Sequence, residues 1–304
     1  MDPGKKIEQM LKRYRVDGGR GFDLSDYSPG DTGGLDVDFK PDAQSLQQQQ
    51  MQQLTELQDK LYAQDRRALL LIFQAMDAAG KDGTIKHVMS GVNPQGCEVF
   101  SFKAPSAEEL DHDYLWRTSR CLPQRGHIGI FNRSYYEEVL VVRVHPELLQ
   151  KERVPAELVT RKIWKQRFED IASFERYLTR NGIAVRKFFL HISKEEQRAR
   201  FLQRLEEPQK NWKFSAADVR ERQSWDDYQQ TYEKMIRHTA ARHAPWFVVP
   251  ADHKWFARLV VSTAIVNALK EMKLAYPTVD AAARQQLQAA KAALQAEAGG
   301  KGGR

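Results

Sequence analysis

The feature that most constrains this chain is the stretch Leu69 to Thr84, LLLIFQAMDAAGKDGT. An unbroken apolar run, Leu69 to Phe73, passes into a small-residue turn ending in Gly80-Lys81. A helix-like segment follows with no Pro between. A strand buried on both faces reads as such a continuous run. A small-residue turn opening a helix leaves backbone N–H groups free to cradle phosphate. The stretch therefore predicts a strand, a phosphate loop and a helix start, and it names a phosphate chain as the ligand class.

The common form of this loop is G-x-x-x-x-G-K-[ST], in which the Lys reaches the terminal phosphates and the hydroxyl holds Mg²⁺. Here Ala75 stands at the first Gly position and Asp82 follows Lys81. Gly80-Lys81 still follows the strand and Gly83-Thr84 still opens the helix. Lys81 is expected to act on the phosphates, with Ala78, Ala79, Gly80, Asp82, Gly83 and Thr84 lining them. The bland alternative is a strand-to-helix turn with a surface lysine. Asp77 is an acid inside an anion-binding loop. It can supply the metal oxygen that the missing hydroxyl would give, because Mg²⁺ binds through one or two carboxylates plus substrate phosphates. It can equally cap the next helix or orient the attacking phosphate.

A second strand, His127 to Asn132, also ends in polar groups, Asn132-Arg133, with Glu137 one helical turn on. In phosphate-loop enzymes the neighbouring strand usually ends in an acid that touches Mg²⁺. Asn132 occupies that place here, and Arg133 brings a planar fork that matches phosphate oxygens. Glu137 is suited either to holding the metal or to pairing with Arg133.

Further apolar runs, at Cys97 to Lys103, Val185 to Ile192 and Trp246 to Pro250, alternate with helical stretches. Those stretches are Thr84 to Val92, Ser106 to Arg120, Ser134 to Val141 and Leu158 to Asn181. The alternation predicts an α/β fold with a central parallel sheet of about five strands, covered on both faces. Residues 1–42 read as an N-terminal arm and 43–275 as the main domain. Within it, 43–64 is Gln-rich but carries Leu46, Leu54, Leu57 and Leu61 at helical spacing. Lys194 to His243 breaks the rhythm as a long, charged, helical segment interrupted near Pro208. Trp255 to Leu274 reads as a packing helix, and 276–304 as an Ala/Gln helix with a flexible end.

Net charge is +7, and Lys151 to Arg222 alone holds 18 basic against 11 acidic residues, an excess equal to the whole net charge. Such a segment favours an anionic partner over a neutral one. No apolar run reaches the roughly 20 residues of a membrane span. With no secretory h-region and only Cys97 and Cys121 as thiols, a reduced cytoplasm is the expectation. The eight histidines are scattered and no Cys lies at zinc spacing.

MDAAGKDGTIKHVMSGVNPQGCEVFSFKAP, followed by HDYLWR, LPQRGHIGIFNRSYYEEVLVVRVHP and NWKFS, resembles polyphosphate kinase family 2 from about Asp59 to Ala275. The FNRSYYE form is similar to the class III branch. The resemblance implies a phosphate-loop NTPase-type α/β/α sandwich with a helical lid, and reversible phosphoryl transfer from inorganic polyphosphate to AMP or ADP, giving ADP or ATP. It implies Mg²⁺, or Mn²⁺ in its place, and a homo-oligomer, a dimer or tetramer. It assigns Asp77 and Lys81 to the first motif and Asn132, Arg133 and Glu137 to the second.

Two phosphate chains then need to be gripped. For the nucleotide, Lys103, Asp113 and Arg117 are candidates, with Arg117 suited to an α-phosphate. A surface i,i+4 pair is the competing reading of Asp113 and Arg117. Asn93 and Phe102 are the guesses for reading adenine. For the polymer, Arg198, Arg200, Arg204, Lys210, Lys213, Arg220 and Arg222 offer a cationic track around Trp212 and Phe214, within a lid at about 194–243 that excludes water. Basic residues among aromatics also suit single-stranded nucleic acid; beside the phosphate loop, that partner and a membrane are both set aside. An ATP-dependent nucleoside monophosphate kinase and a non-catalytic polyphosphate- or ATP-binding regulator are the competing functions.

Overall fold

The computed structural model describes residues 3–35 and 39–299. Contacts divide the chain into one body that ends at Leu274 and a second that begins at Ala275. The strands of the first body are β1 (Arg15–Gly18), β2 (Ala68–Ala75), β3 (Cys97–Ser101), β4 (Ile128–Asn132), β5 (Ile183–His191) and β6 (Ala241–Pro250). Its helices are α1 (Pro3–Tyr14), α2 (Lys40–Gln64), α3 (Lys81–Val88), α4 (Ala107–Leu110), α5 (Trp116–Ser119), α6 (Val141–Val144), α7 (Ile163–Arg180), α8 (Lys194–Glu206), α9 (Ala216–Glu221), α10 (Trp225–Thr239) and α11 (Lys254–Glu271). The second body carries α12 (Ala281–Gly299).

The six strands form one sheet in the order β1-β6-β5-β2-β4-β3. Five are parallel, and β1 runs antiparallel along the β6 edge. The parallel set matches the expected alternation. β2 spans the predicted residues, and each side chain from Leu69 to Phe73 is at most 1% exposed. Burying each contributes roughly 1.5–3 kcal/mol. The nearly all-apolar α11 is enclosed by α1, α2 and α3, while α7 packs with α10 on the sheet. The result is a three-layer α/β/α sandwich.

The arm expected at residues 1–42 is in its described part an amphipathic helix and an edge strand. Ile7, Met10, Leu11, Tyr14 and Val16 are buried in the main core. A four-residue strand is too short to show alternation, and so it escaped detection. The segment read as helix over Ser106 to Arg120 is broken into α4 and α5, and Ser134 to Val141 is a 3₁₀ turn, Tyr135–Val139, leading into α6. The charged segment is also less uniform than expected. Trp225, Tyr228, Tyr232, Met235 and Ile236 of α10 belong to the core, whereas α9 buries no side chain. No described helix is long and apolar enough to cross a membrane.

Candidate active site

The chain leaves β2 for β3 at one edge, returns through β4, and continues to β5 and β6 on the far side of β2. The carboxyl ends of β2, β4 and β5 therefore meet at the point where the winding direction reverses. Open parallel sheets bind ligands there.

At the end of β2 the backbone turns through positive φ at Ala78 (64°) and Gly80 (103°). A side chain at Gly80 would be strained, which explains Gly at that position. Thr84 N–H is the first to bond back within α3, to Gly80 O at 2.9 Å. The N–H groups of Lys81, Asp82 and Gly83 thus have no acceptor within the helix, and no side chain caps it. This is the anion-binding end of a helix dipole. Asp82 lies in the first turn and accepts from Asn132 Nδ2 at 2.7 Å. Thr84 is buried, and its N–H is spent on Gly80 O.

Lys81 Nζ donates to Ala75 O at 2.7 Å. Burial pushes its pKa down to about 8; Arg133 adds to the fall, and Asp77, Glu137 and Asp82 oppose it. Arg133 also has positive φ, 66°, and its N–H is held by Phe73 O at 3.0 Å. Such a conformation in a non-glycine residue costs of order 1–3 kcal/mol and persists only where its surroundings enforce it. Its guanidinium forks between two acids, with Nη2 on Asp77 Oδ1 at 3.0 Å and Nη1 on Glu137 Oε2 at 3.5 Å. Glu137 above all, and Asp77, hold the guanidinium proton against desolvation, so its pKa rises.

Glu137 takes a second bond from Gln74 Nε2 at 2.8 Å. Of the two readings of Glu137, the pair with Arg133 is the one formed here. Asp77 does not cap α3, whose cap is Gly80. For Mg²⁺ the donors fit. Asp77 and Glu137, on either side of the Arg133 guanidinium, offer hard carboxylate oxygens, and Gln74 Oε1 beside them is buried without a hydrogen-bond partner. Among the described residues no three acid, His or Cys groups cluster as a metal cage. Mg²⁺ prefers one or two carboxylates with phosphate oxygens over such a cage.

The nucleotide candidates separate. Lys103 and Asp113 are exposed. Arg117 is 6% exposed and turned inward, donating to Lys103 O at 2.7 Å and Glu138 Oε1 at 3.1 Å. It is therefore neither a surface partner of Asp113 nor presented to solvent. Asp113 instead accepts from Leu115 N–H at 2.9 Å. Burial, with Glu152 nearby, pushes Glu138 up to about 7, while Arg117 and Arg167 oppose the shift. Asn93 lies away from the site and does not read adenine there. It caps the turn Pro94–Gly96 that precedes β3, so it sits at the amino edge of the sheet, opposite the loop. Phe102 is a core residue, edge-on to Phe131 at 5.0 Å, and offers no open stacking face.

Of the track residues, Arg198 and Arg220 are exposed, whereas Arg200 is buried and turned onto backbone carbonyls, so it is no part of an open track. Arg204 meets Asp218 at 3.9 Å, and Lys210 meets Glu207 at 2.5 Å. Arg222 donates to Gln197 Oε1 at 2.7 Å. The Lys213 side chain lies outside the described residues.

A profile for Polyphosphate kinase 2 (PPK2) matches residues 37–277. The chain is 58% identical over 239 residues to an ADP-polyphosphate phosphotransferase of Rhodopseudomonas palustris, covering 78% of this chain and 83% of that one. It is 42% identical over 275 residues to an AMP/ADP-polyphosphate phosphotransferase of Meiothermus ruber, covering 90% and 98%. The crystal structure of Polyphosphate Kinase 2 from Arthrobacter aurescens TC1 superposes with a TM-score of 0.80 at 40% identity, covering 90% of this chain and 95% of that one. With the profile spanning most of its length and relatives this similar, this chain belongs to polyphosphate kinase family 2.

Proposed function

We propose that this protein moves a phosphoryl group from inorganic polyphosphate to AMP or ADP, reversibly and with Mg²⁺ or Mn²⁺. The observation that carries this reading is the convergence of Lys81, Arg133 and Asp77 at the end of β2, in a chain that matches the family over most of its length.

Both attacking and leaving groups are phosphate oxygens that are already ionised. Little proton transfer is needed, so catalysis is positioning and charge neutralisation. Lys81 supplies a point charge beside the loop amides. Arg133 supplies a fixed fork, pre-aimed by two carboxylates, for the oxygens of the transferring group. Asp77 and Glu137 would hold Mg²⁺, which when bound would supply Lewis-acid neutralisation of the phosphate oxygens. Exchange of one anhydride for another is close to thermoneutral, which supports reversibility. Within the lid expected at about 194–243, the part from Leu202 to Arg222 is the best placed to move over the polymer, because it is little buried.

The test is an ATP-free assay of the protein with Mg²⁺, polyphosphate and either AMP or ADP. Formation of ADP from AMP, or ATP from ADP, is expected. Turnover of AMP only when ATP is added would establish a nucleoside monophosphate kinase instead. No turnover by parent and Lys81→Ala alike would leave a binding protein.

A further inference from the structure

Helix α8 reaches the back of the phosphate loop. Gln197 Nε2 donates to Asp77 O at 3.0 Å. Arg200 Nη1 donates to Ala78 O at 3.1 Å and Ala79 O at 2.8 Å. Three successive loop carbonyls are thus taken by two side chains one helical turn apart. In a trans peptide the C=O of one residue and the N–H of the next point in opposite directions. The N–H groups of Ala78, Ala79 and Gly80 are therefore directed away from α8. Ala79 N–H closes a turn onto Met76 O at 3.3 Å. That leaves Ala78 and Gly80, with the start of α3, to face an anion.

Both side chains are buried and fully engaged. Arg200 Nη2 donates to Ala251 O at 2.6 Å and Asp252 O at 3.0 Å beyond β6, and Nε donates to Glu196 at 2.8 Å. One guanidinium therefore ties the loop after β2 to the loop after β6. Gln197 is also held from its other side, since its Oε1 accepts from Arg222 Nη1 at 2.7 Å. A chain of hydrogen bonds runs from Arg222, in the basic segment, through Gln197 to the backbone of Asp77.

The geometry points to Gln197 and Arg200 as positioning residues. They hold the phosphate loop in its positive-φ shape and couple that shape to Arg222. This deepens the functional reading and rests on it, because Asp77 to Thr84 is taken as the phosphate cradle. Ala78 at φ 64° is the strained residue that the clamp stabilises. Engagement of Arg222 by a polyanion would change the hold on Gln197 and so on the loop beneath the reacting group.

The experiment compares the full chain with Gln197→Met, Arg222→Met and the double variant. Amide hydrogen exchange at Ala78 to Thr84 is read first, without substrate. Gln197→Met is expected to speed exchange at Ala79 and Thr84 about 10-fold or more, while α11 stays protected. With polyphosphate and ADP, kcat is expected to fall about 10-fold or more, with KM for ADP held within about twofold. Arg222→Met should lower kcat in the parent and add little in the Gln197→Met background. Parent-like exchange and kcat in Gln197→Met, or additive effects in the double variant, would overturn the coupling. If Gln197→Met fails to fold, Gln197→Glu keeps the shape and the Arg222 contact and carries the same comparison. A parent that shows no turnover strikes the functional reading alone, since the exchange measurement does not depend on it.

Discussion

Arg133 and Asp77 are joined at 3.0 Å across 56 residues of sequence. This bond links the first motif to the second, and it sets the fork of the arginine before any ligand arrives. Glu137 on the other side of the guanidinium completes the alignment.

A lysine at position 133 keeps the charge and loses the fork. Arg133→Lys and Asp77→Asn are each expected to lower kcat by about 100-fold, the loss typical of one transition-state electrostatic contact. Steady-state kinetics with ADP and polyphosphate check this. Near-parent kcat in either variant would remove that residue from the chemistry.

Lys81 carries its charge below a pKa of about 8 and loses it above, because burial disfavours the ammonium. The kcat/KM of the free enzyme for polyphosphate should therefore fall as pH rises through about 8. An arginine stays charged across this range. The pH profile of Lys81→Arg, although slower throughout, should lack that alkaline fall.

Arg198 on α8 is exposed. Arg198→Ala should raise KM for polyphosphate several-fold, and KM for ADP by much less. The same KM should climb with ionic strength in the parent, as exposed charges are screened over about 10 Å at 0.1 M salt. Equal effects on both substrates would argue against a polymer track.

Lys187 is wholly buried beneath the second motif. Its Nζ lies 2.5 Å from Glu175 and 3.2 Å from Tyr136 Oη, and Glu175 also accepts from Tyr135 and Tyr136. Removing one partner strands a buried charge. Lys187→Met should destabilise the fold by about 3–5 kcal/mol, and Lys187→Met with Glu175→Leu by less. Chemical denaturation of the three proteins measures the difference.

The legible parts of this molecule were those specified by neighbours in sequence. The apolar run of β2, the Gly80-Lys81 turn and the order of the parallel strands depend on local pattern. Asp77, Lys81, Asn132, Arg133 and Glu137 were singled out from their motifs, and the structure brings all five together. What escaped depends on distant partners. Arg117 looks like any helix-surface cation until Glu138 is packed against it. Gln197 carries no motif, and Arg200, expected among the cations of the polymer track, is turned instead onto backbone carbonyls about 120 residues earlier. Gln74 was hidden inside its own apolar strand, where only its position beside Glu137 gives it meaning.

The short strand β1 lies before the region matched by the family profile, yet it pairs with β6 from Ala241 to Phe247. A chain trimmed to residues 37–277 would uncover that row of backbone donors and acceptors. A bare, apolar-flanked edge is a template for another copy of itself. β1 therefore covers that edge, and its removal should show as concentration-dependent aggregation before any loss of the catalytic groups.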